Sequence, residues 1–358
     1  MSGRTAGADV TVVTVTYNGV ELVDRCLEAL ARQDLGGLTM DVVVVDNAST
    51  DGTPELVAAR HPAARLVASP ANLGFAGGNN LVLDTAASPY VILLNNDAVP
   101  EPDFVATLVR GMDEAPDDVA CLTATVLLAQ RFRPASAGEA GAVLGPDGAY
   151  APDAAGPVTL VNSTGNVVRT DGFGMDRGWL ADAASHHPPA EVFGFCGAAA
   201  ILRTSALRDV GTFDEDFFLY YEDTDLSWRL RLAGYQIRHC PAAVVHHEHA
   251  ASTGEGSELF RFHDGRNRLL MLAKNASAPM ATRAVLRYLV TTASIGLRRR
   301  QPWPMVRTRL RVIASFTRLL PRMLRKRRRL SRESRTARAQ VERLLTAPPT
   351  MATGGYRG

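Results

Sequence analysis

Over the first 130 residues, short apolar runs alternate with stretches in which apolar positions recur every three or four residues. Residues 10–15 are all Val or Thr and stop at Tyr17-Asn18-Gly19, which predicts a strand and a turn. Leu22, Cys26, Leu27 and Leu30 then fall at helical spacing over 21–33. Four consecutive valines at 42–45 predict a strand buried on both faces and ending at Asp46. Asp51-Gly52-Thr53-Pro54 reads as a turn into a helix, with Pro near the first helical position. Residues 66–68 predict a brief strand, 76–87 a helix, 91–94 a buried strand, 104–112 a helix and 120–128 a strand. Such alternation is the pattern of a mostly parallel sheet flanked by helices.

Each apolar run ends directly in polar residues: Tyr17-Asn18, Asp46-Asn47 and Asn95-Asn96-Asp97. In open parallel sheets the carboxyl ends of the strands border the ligand crevice. One polar strand end means little, but three of them, two carrying Asp, point to a shared site.

Residues 130–190 are rich in Ala, Gly, Pro and Asp and lack periodicity, so a long loop or insertion is expected there. Order returns with a strand to Leu202, a helix over 205–210, and a helix over 226–233 capped by Gly234. A strand over 235–245 runs into His246-His247-Glu248-His249. Residues 281–330 predict a basic amphipathic helical region broken at Pro302 and Pro304. Its arginine clusters at 298–300 and 325–329 sit beside Ile313, Phe316, Leu319 and Leu320.

Charge divides the chain. Residues 1–282 hold 19 basic and 35 acidic side chains, and residues 283–358 hold 20 and 2. An acidic body at 1–280 thus carries a basic tail at 281–358, whose interleaved apolar residues fit adhesion to an anionic membrane face. Nucleic acid is discounted as a partner, because the acidic body would repel phosphate chains. The tail leaves room for a homo-oligomer instead. Four scattered cysteines, none in a CxxC pair, argue against a disulfide scaffold or a cysteine-based zinc site. The apolar run near the start is too short for a signal-peptide core, and no run of 18 apolar residues occurs. A cytoplasmic protein, peripheral on the inner face of the cell membrane, is the expectation.

Asp97 follows a buried strand, where one carboxylate with a diphosphate could hold Mg²⁺ or Mn²⁺; a turn or cap role is the simpler alternative. Glu222, Asp223 and Asp225 crowd a helix start among Phe217, Phe218, Tyr220 and Tyr221. Capping requires only one or two of them. Carboxylates crowded among aromatics acquire raised pKa values, which suits a general base. The Gly-rich stretch at 72–80 is neither a dinucleotide fingerprint nor a P-loop.

In order along the chain come Val-Thr-Tyr-Asn at 15–18, Val-Val-Asp-Asn-Ala-Ser-Thr-Asp-Gly at 44–52 and Asn-Leu-Gly-Phe-Ala-Gly-Gly-Asn-Asn at 72–80. Leu-Asn-Asn-Asp at 94–97, Gly-Phe-Cys-Gly-Ala-Ala at 194–199 and Phe-Asp-Glu-Asp-Phe-Phe-Leu-Tyr-Tyr-Glu-Asp-Thr-Asp-Leu at 213–226 follow. Together, over about residues 9–270, they closely resemble the family-2 glycosyltransferases of GT-A fold, in particular the rhamnosyltransferase-like branch. The resemblance implies a Rossmann-like, mostly parallel α/β sheet and the following roles. Asp46 bonds the nucleotide base, Thr16 and Tyr17 pack around base and ribose, and Asn72 and Asn79 line the nucleotide pocket. Asn96 belongs with them, and Gly197 and Ala198 pass the donor sugar. Asp97 binds the divalent metal, with His246 completing its site, although Asn95 replaces the first Asp of the family's DxD motif. Asp223 is the catalytic base and Glu222 its partner or an acceptor contact. Neither a QxxRW motif nor membrane spans, the marks of processive relatives, are present, so a single addition is implied. The implied reaction is inverting transfer of one sugar, foremost rhamnose from dTDP-rhamnose, to a lipid-linked or polysaccharide acceptor. Other donors (UDP-galactofuranose, another UDP- or a GDP-sugar) and a non-catalytic nucleotide-sugar-binding scaffold are the alternatives.

Overall fold

In the computed structural model, which describes residues 7–248, 257–298 and 301–348, the valine-rich runs form β1 (Val10–Thr16) and β2 (Met40–Asp46). They pair in parallel with Thr16 opposite Asp46. β3 (Arg65–Ala68) and β4 (Tyr90–Leu94) continue the parallel sheet on either side. The connections are α1 (Val20–Ala31), α2 (Thr53–Arg60) and α3 (Gly74–Leu83). β5 (Ala98–Pro100) is too short to stand out in the pattern. It is followed by α4 (Phe104–Glu114) and the long β6 (Val119–Ala135).

The segment expected as a long loop or insertion is built of short strands. These are β7 (Val143–Gly145), β8 (Gly148–Pro152), β9 (Val158–Ser163), β10 (Asn166–Val168) and β11 (Gly174–Asp176). β8 and β9 pair antiparallel with β6, while β10 and β11 form their own hairpin. The stability of such strands comes from a distant partner, which local composition does not display.

β12 (Ala199–Arg203), α5 (Thr204–Val210), α6 (Glu222–Leu232) and β13 (Gln236–His247) complete the sheet, whose order is β3-β2-β1-β4-β12-β6-β13-β5. β12 runs antiparallel between β4 and β6. Strand alternation divides the apolar residues into two cores. Val10, Val12, Val44, Ile92 and Leu94 face α1 and α4, whereas Val13, Val43, Val45, Val91 and Leu93 face α3, α5 and α6.

A helical layer closes the chain: α7 (Glu258–Asn275), α8 (Ala278–Leu297), α9 (Trp303–Glu333) and α10 (Arg338–Val341). Ser257 and Ser277 cap α7 and α8, and α9 starts where Pro302 and Pro304 were expected to break the helix. Phe316 is buried, and Ile313, Leu319 and Leu320 pack against the same third core, which includes Trp228, Phe217 and Leu270. These four residues therefore hold α9 to the body and do not form a free apolar face. Lys326 and Arg322 bond Asp214 and Asp216, so part of the tail's charge is matched by the acidic body. No helix among the described residues is long and apolar enough to cross a membrane.

Candidate active site

The first cluster gathers at the carboxyl ends of β1, β2 and β4. Asn96 Nδ2 donates to Thr16 Oγ1 at 3.0 Å, and the Asn47 amide donates to the Thr16 carbonyl at 2.9 Å. Asp46 is buried; its Oδ2 accepts from the Ser49 amide at 3.0 Å while Oδ1 has no donor. Asn47 Nδ2 donates to the Gly74 carbonyl at 3.0 Å, and its Oδ1 also lacks a partner. Buried acceptors left open in this way suit a ligand's N–H groups. Tyr17 is exposed beside them. Asn72 sits in an exposed turn, its Oδ1 accepting from the Gly74 amide at 2.9 Å. Asn79 is buried and donates to the Phe75 carbonyl one turn back, so its amide is engaged within α3.

The second cluster lies where the chain leaves β4. Asp97 is buried with Oδ1 3.0 Å from His247 Nε2, yet Oδ1 receives no hydrogen bond. His247 Nδ1 is 2.7 Å from Asn162 Oδ1, an atom that can only accept, so Nδ1 donates to it, and Nε2 lies 3.4 Å from Asn95 Nδ2. Asp97 Oδ1 and His247 Nε2 thus lie close together without a hydrogen bond between them. The neighbouring His246 is on the other face of β13 and bonds Glu101 Oε1 at 2.8 Å. His246, expected beside Asp97 from the resemblance, thus lies against Glu101 while His247 lies against Asp97, because the strand continues through both histidines and alternates their side chains. His249 lies outside the described residues. Among the described residues no third acid, histidine or cysteine joins Asp97 and His247. The pair fits a divalent ion whose other ligands come from substrate phosphate.

The third cluster opens α6, where three carboxylates meet three environments. Asp225 is fully buried and held by Arg229 Nε at 2.9 Å, Lys274 Nζ at 2.8 Å and Asn275 Nδ2 at 2.7 Å. It is structural. Glu222 is buried with Oε2 unpartnered; burial, and then the Asp223 charge, push its pKa well above the usual carboxylate range. Asp223 keeps some solvent access. Its Oδ2 accepts from Asn166 Nδ2 at 2.8 Å and the Gly197 amide at 3.1 Å, and its Oδ1 from the Thr224 amide at 2.6 Å. Burial raises its pKa, and these donors hold the rise in check. An oriented carboxylate of raised basicity can accept a proton from a bound hydroxyl.

The segment through Gly197 joins the clusters, since the Ala198 carbonyl accepts from the Asn95 amide at 2.9 Å. A Cβ on Gly197 would lie 3.2 Å from Phe75 Cζ and 3.6 Å from Asp223 Oδ2, so a side chain there would crowd the base. The approach to Asp223 is strained. Phe218, Tyr220 and Tyr221 all have φ between 64° and 68°. Asn267 Nδ2 lies 2.7–2.8 Å from the carbonyls of Phe217, Leu219 and Tyr220, and Arg266 holds those of Asp216 and Phe217. Gly74, itself at φ 70°, lets α3 touch Phe218. Asn166 and Asn267 were not singled out by the sequence, whereas Asn47 entered it in the polar end of the valine run and His247 in the histidine run 246–249. Asn47 follows an apolar run directly, the signal used for the other strand ends, whereas Asn166 opens a strand inside the segment without periodicity.

Two family models match: Glycosyl transferase family 2 over residues 11–136 and Glycosyl transferase family group 2 over residues 152–305. The N-acetylglucosaminyl-diphospho-decaprenol L-rhamnosyltransferase of Mycobacterium tuberculosis is 30% identical over 257 residues, 68% of this chain and 77% of that one. The pre-mycofactocin glycosyltransferase of the same organism is 25% identical over 294 residues, 81% of this chain and 54% of that one. Among solved structures, the mannosyltransferase PcManGT from Pyrobaculum calidifontis, in complex with GDP-Man and Mn²⁺, superposes with a TM-score of 0.50 at 21% identity. It covers 95% of this chain and 86% of its own. GalNAc-T7 with UDP, GalNAc and Mn²⁺ gives 0.55 at 11% identity, over 75% and 48%.

Proposed function

The chain belongs to glycosyl transferase family 2 and is a glycosyltransferase of GT-A fold; from that premise we propose that it transfers a single rhamnose from dTDP-rhamnose, with inversion, to a lipid-linked saccharide. The observation that carries the reading is Asp223, oriented by Asn166 and Gly197 and made more basic by burial. In this reading Asp46, Asn47, Thr16 and Asn96 hold the nucleotide, with Tyr17 and the Asn72 turn at its rim and Asn79 supporting α3. Gly197 and Ala198 border the sugar. Asp223 takes the proton of the acceptor hydroxyl as it attacks the anomeric carbon, and the protonated Glu222 donates a hydrogen bond to the acceptor or to Asp223. Asp97 and His247 would hold Mg²⁺ or Mn²⁺, which supplies positive charge for the departing diphosphate.

The rhamnosyl group and the lipid-linked acceptor follow the 30% identical relative, named for L-rhamnosyl transfer and N-acetylglucosaminyl-diphospho-decaprenol, and the dTDP carrier follows the sequence resemblance. A lipid-linked acceptor places the reaction at the cytoplasmic membrane face. The test is a transfer assay with dTDP-rhamnose, UDP-galactofuranose and GDP-mannose against a short polyprenyl-diphosphate N-acetylglucosamine, each with Mg²⁺, Mn²⁺ or chelator, analysed by mass spectrometry. Product from dTDP-rhamnose alone, lost in the Asp223→Asn variant, supports the proposal. Product only from another donor replaces the donor and leaves the mechanism standing. Turnover that survives Asp223→Asn overturns the base.

A further inference from the structure

α8 has two apolar faces. Ala284, Tyr288 and Thr292 are buried against the body, with Arg309 of α9 reaching Thr292 Oγ1 at 2.9 Å. Roughly opposite them on the helical wheel, Leu286, Leu289, Val290, Ala293 and Leu297 form a stripe left exposed by the described residues. Leu286 is 56% exposed, Val290 68% and Leu297 85%. Trp303, 68% exposed, starts α9 close to the end of this stripe, where Gly296 approaches Val306. At the other end, Pro279, Thr282 and Leu286 line a shallow groove with Arg283 and Arg287. Arginines 283, 287 and 298 all lie along one flank of the stripe, and no acidic residue occurs between Asp264 and Glu333.

We propose that this α8 face, from Pro279 to Leu297 and with Trp303 of α9 near its end, is the surface by which the protein seats itself on an anionic lipid bilayer. Apolar side chains flanked by arginines, with a tryptophan at the rim, match the boundary between acyl chains and negatively charged headgroups. A second copy of the chain is a poorer occupant, because a symmetric pairing would bring like-charged arginines together. The location also suits the acceptor. Arg287 lies 3.9 Å from Asp171, in the turn of the β10–β11 hairpin whose first residue, Asn166, bonds Asp223. The bilayer would therefore meet the wall beside the base, where a lipid-borne hydroxyl must arrive. This last point rests on the proposed transferase reading; the surface itself does not.

The experiment is vesicle flotation of the full chain without donor or acceptor. Vesicles are either phosphatidylcholine alone or phosphatidylcholine with about one-third phosphatidylglycerol, chosen to set the surface charge. The wild type floats with the anionic vesicles and less with the neutral ones. Leu286→Ser, Val290→Ser and Leu297→Ser combined, all at exposed positions, raise the lipid needed for half-binding by about tenfold or more. Arg283→Glu with Arg298→Glu weakens binding to anionic vesicles only. Wild type that does not float, or a triple variant that floats equally well, overturns the proposal. So does a wild-type dimer in sedimentation that the triple variant dissolves, since a second copy would then occupy the face. Flotation without any sugar transfer would refute the function and leave this surface intact.

Discussion

Asn166 Nδ2 donates to Asp223 Oδ2 at 2.8 Å, tying a three-residue strand of the hairpin to the opening turn of α6, 57 residues later in the chain. The bond fixes the carboxylate's orientation and opposes the rise in pKa that burial imposes.

Removing that donor has a definite sign. The base must be ionised to act, so activity falls on the acid side as Asp223 takes up a proton. In Asn166→Ala the carboxylate loses a partner that favours its charged form, its pKa rises further, and the acid limb of the kcat profile moves to higher pH. A hydrogen bond to a charged group is worth about 1.5–3 kcal/mol, so kcat at neutral pH falls about 10- to 100-fold. Asn166→Asp is worse, since it sets a like charge against the base. A pH series of kcat for wild type and Asn166→Ala checks this; an unmoved acid limb refutes the role.

Glu222 gives a prediction on stability. Its carboxyl titrates well above the usual range when folded, so between the unfolded and folded pKa values the native state holds the extra proton. Stability therefore declines as pH rises through that window. Glu222→Gln keeps the neutral shape and removes the penalty. Its melting temperature relative to wild type should rise with pH from 5 to 8, by on the order of 2 °C. Calorimetry at both pH values tests it, and a constant or falling difference would contradict a buried, protonated Glu222.

What was legible in the sequence follows physical range. The parallel core could be read locally, because a strand covered on both faces must be continuously apolar, as at Val42 to Val45. Asp46, Asp97 and Asp223 were visible as carboxylates following or opening such elements. Asn166 was not, because β10 and β11 are three residues each and exist through pairing with each other and with Gly194. His246 was preferred over His247 on the resemblance alone; two residues of alternation beyond the expected strand end at 245 decide which ring meets Asp97. The tail's apolar residues could not be sorted into buried and exposed without knowing where α7 lies.

Lys274 joins two buried carboxylates, with Nζ 2.6 Å from Asp214 Oδ2 and 2.8 Å from Asp225 Oδ2. Asp214 titrates well below its ordinary range because the Lys274 and Lys326 charges overcome its burial. Its stabilisation is present above the ordinary carboxylate pKa and is lost as pH falls towards the depressed value. Lys274→Met leaves negative charge uncompensated in the interior and should cost about 3–5 kcal/mol at pH 7. The deficit should narrow in acid, as the stranded carboxylates are protonated. Urea midpoints at pH 7 and pH 4 measure both; a small deficit at pH 7 would mean that Lys326 and Arg229 suffice.

The two adjacent histidines separate the strand register from mere proximity. His247 faces Asp97 with its Nδ1 proton committed to Asn162, whereas His246 faces Glu101 near the surface. If a divalent ion is held between Asp97 and His247, His247→Ala should weaken Mn²⁺ binding in the presence of dTDP by about 10- to 100-fold or more, and Asn162→Ala by about 10-fold, since it releases the ring's orientation. His246→Ala breaks one exposed pair and should leave Mn²⁺ affinity within about twofold. Titration calorimetry of Mn²⁺ into each variant with dTDP reads all three. Equal loss in His246→Ala and His247→Ala would mean that the cation sits elsewhere on the strand end, and no loss in either would remove both histidines from the metal site.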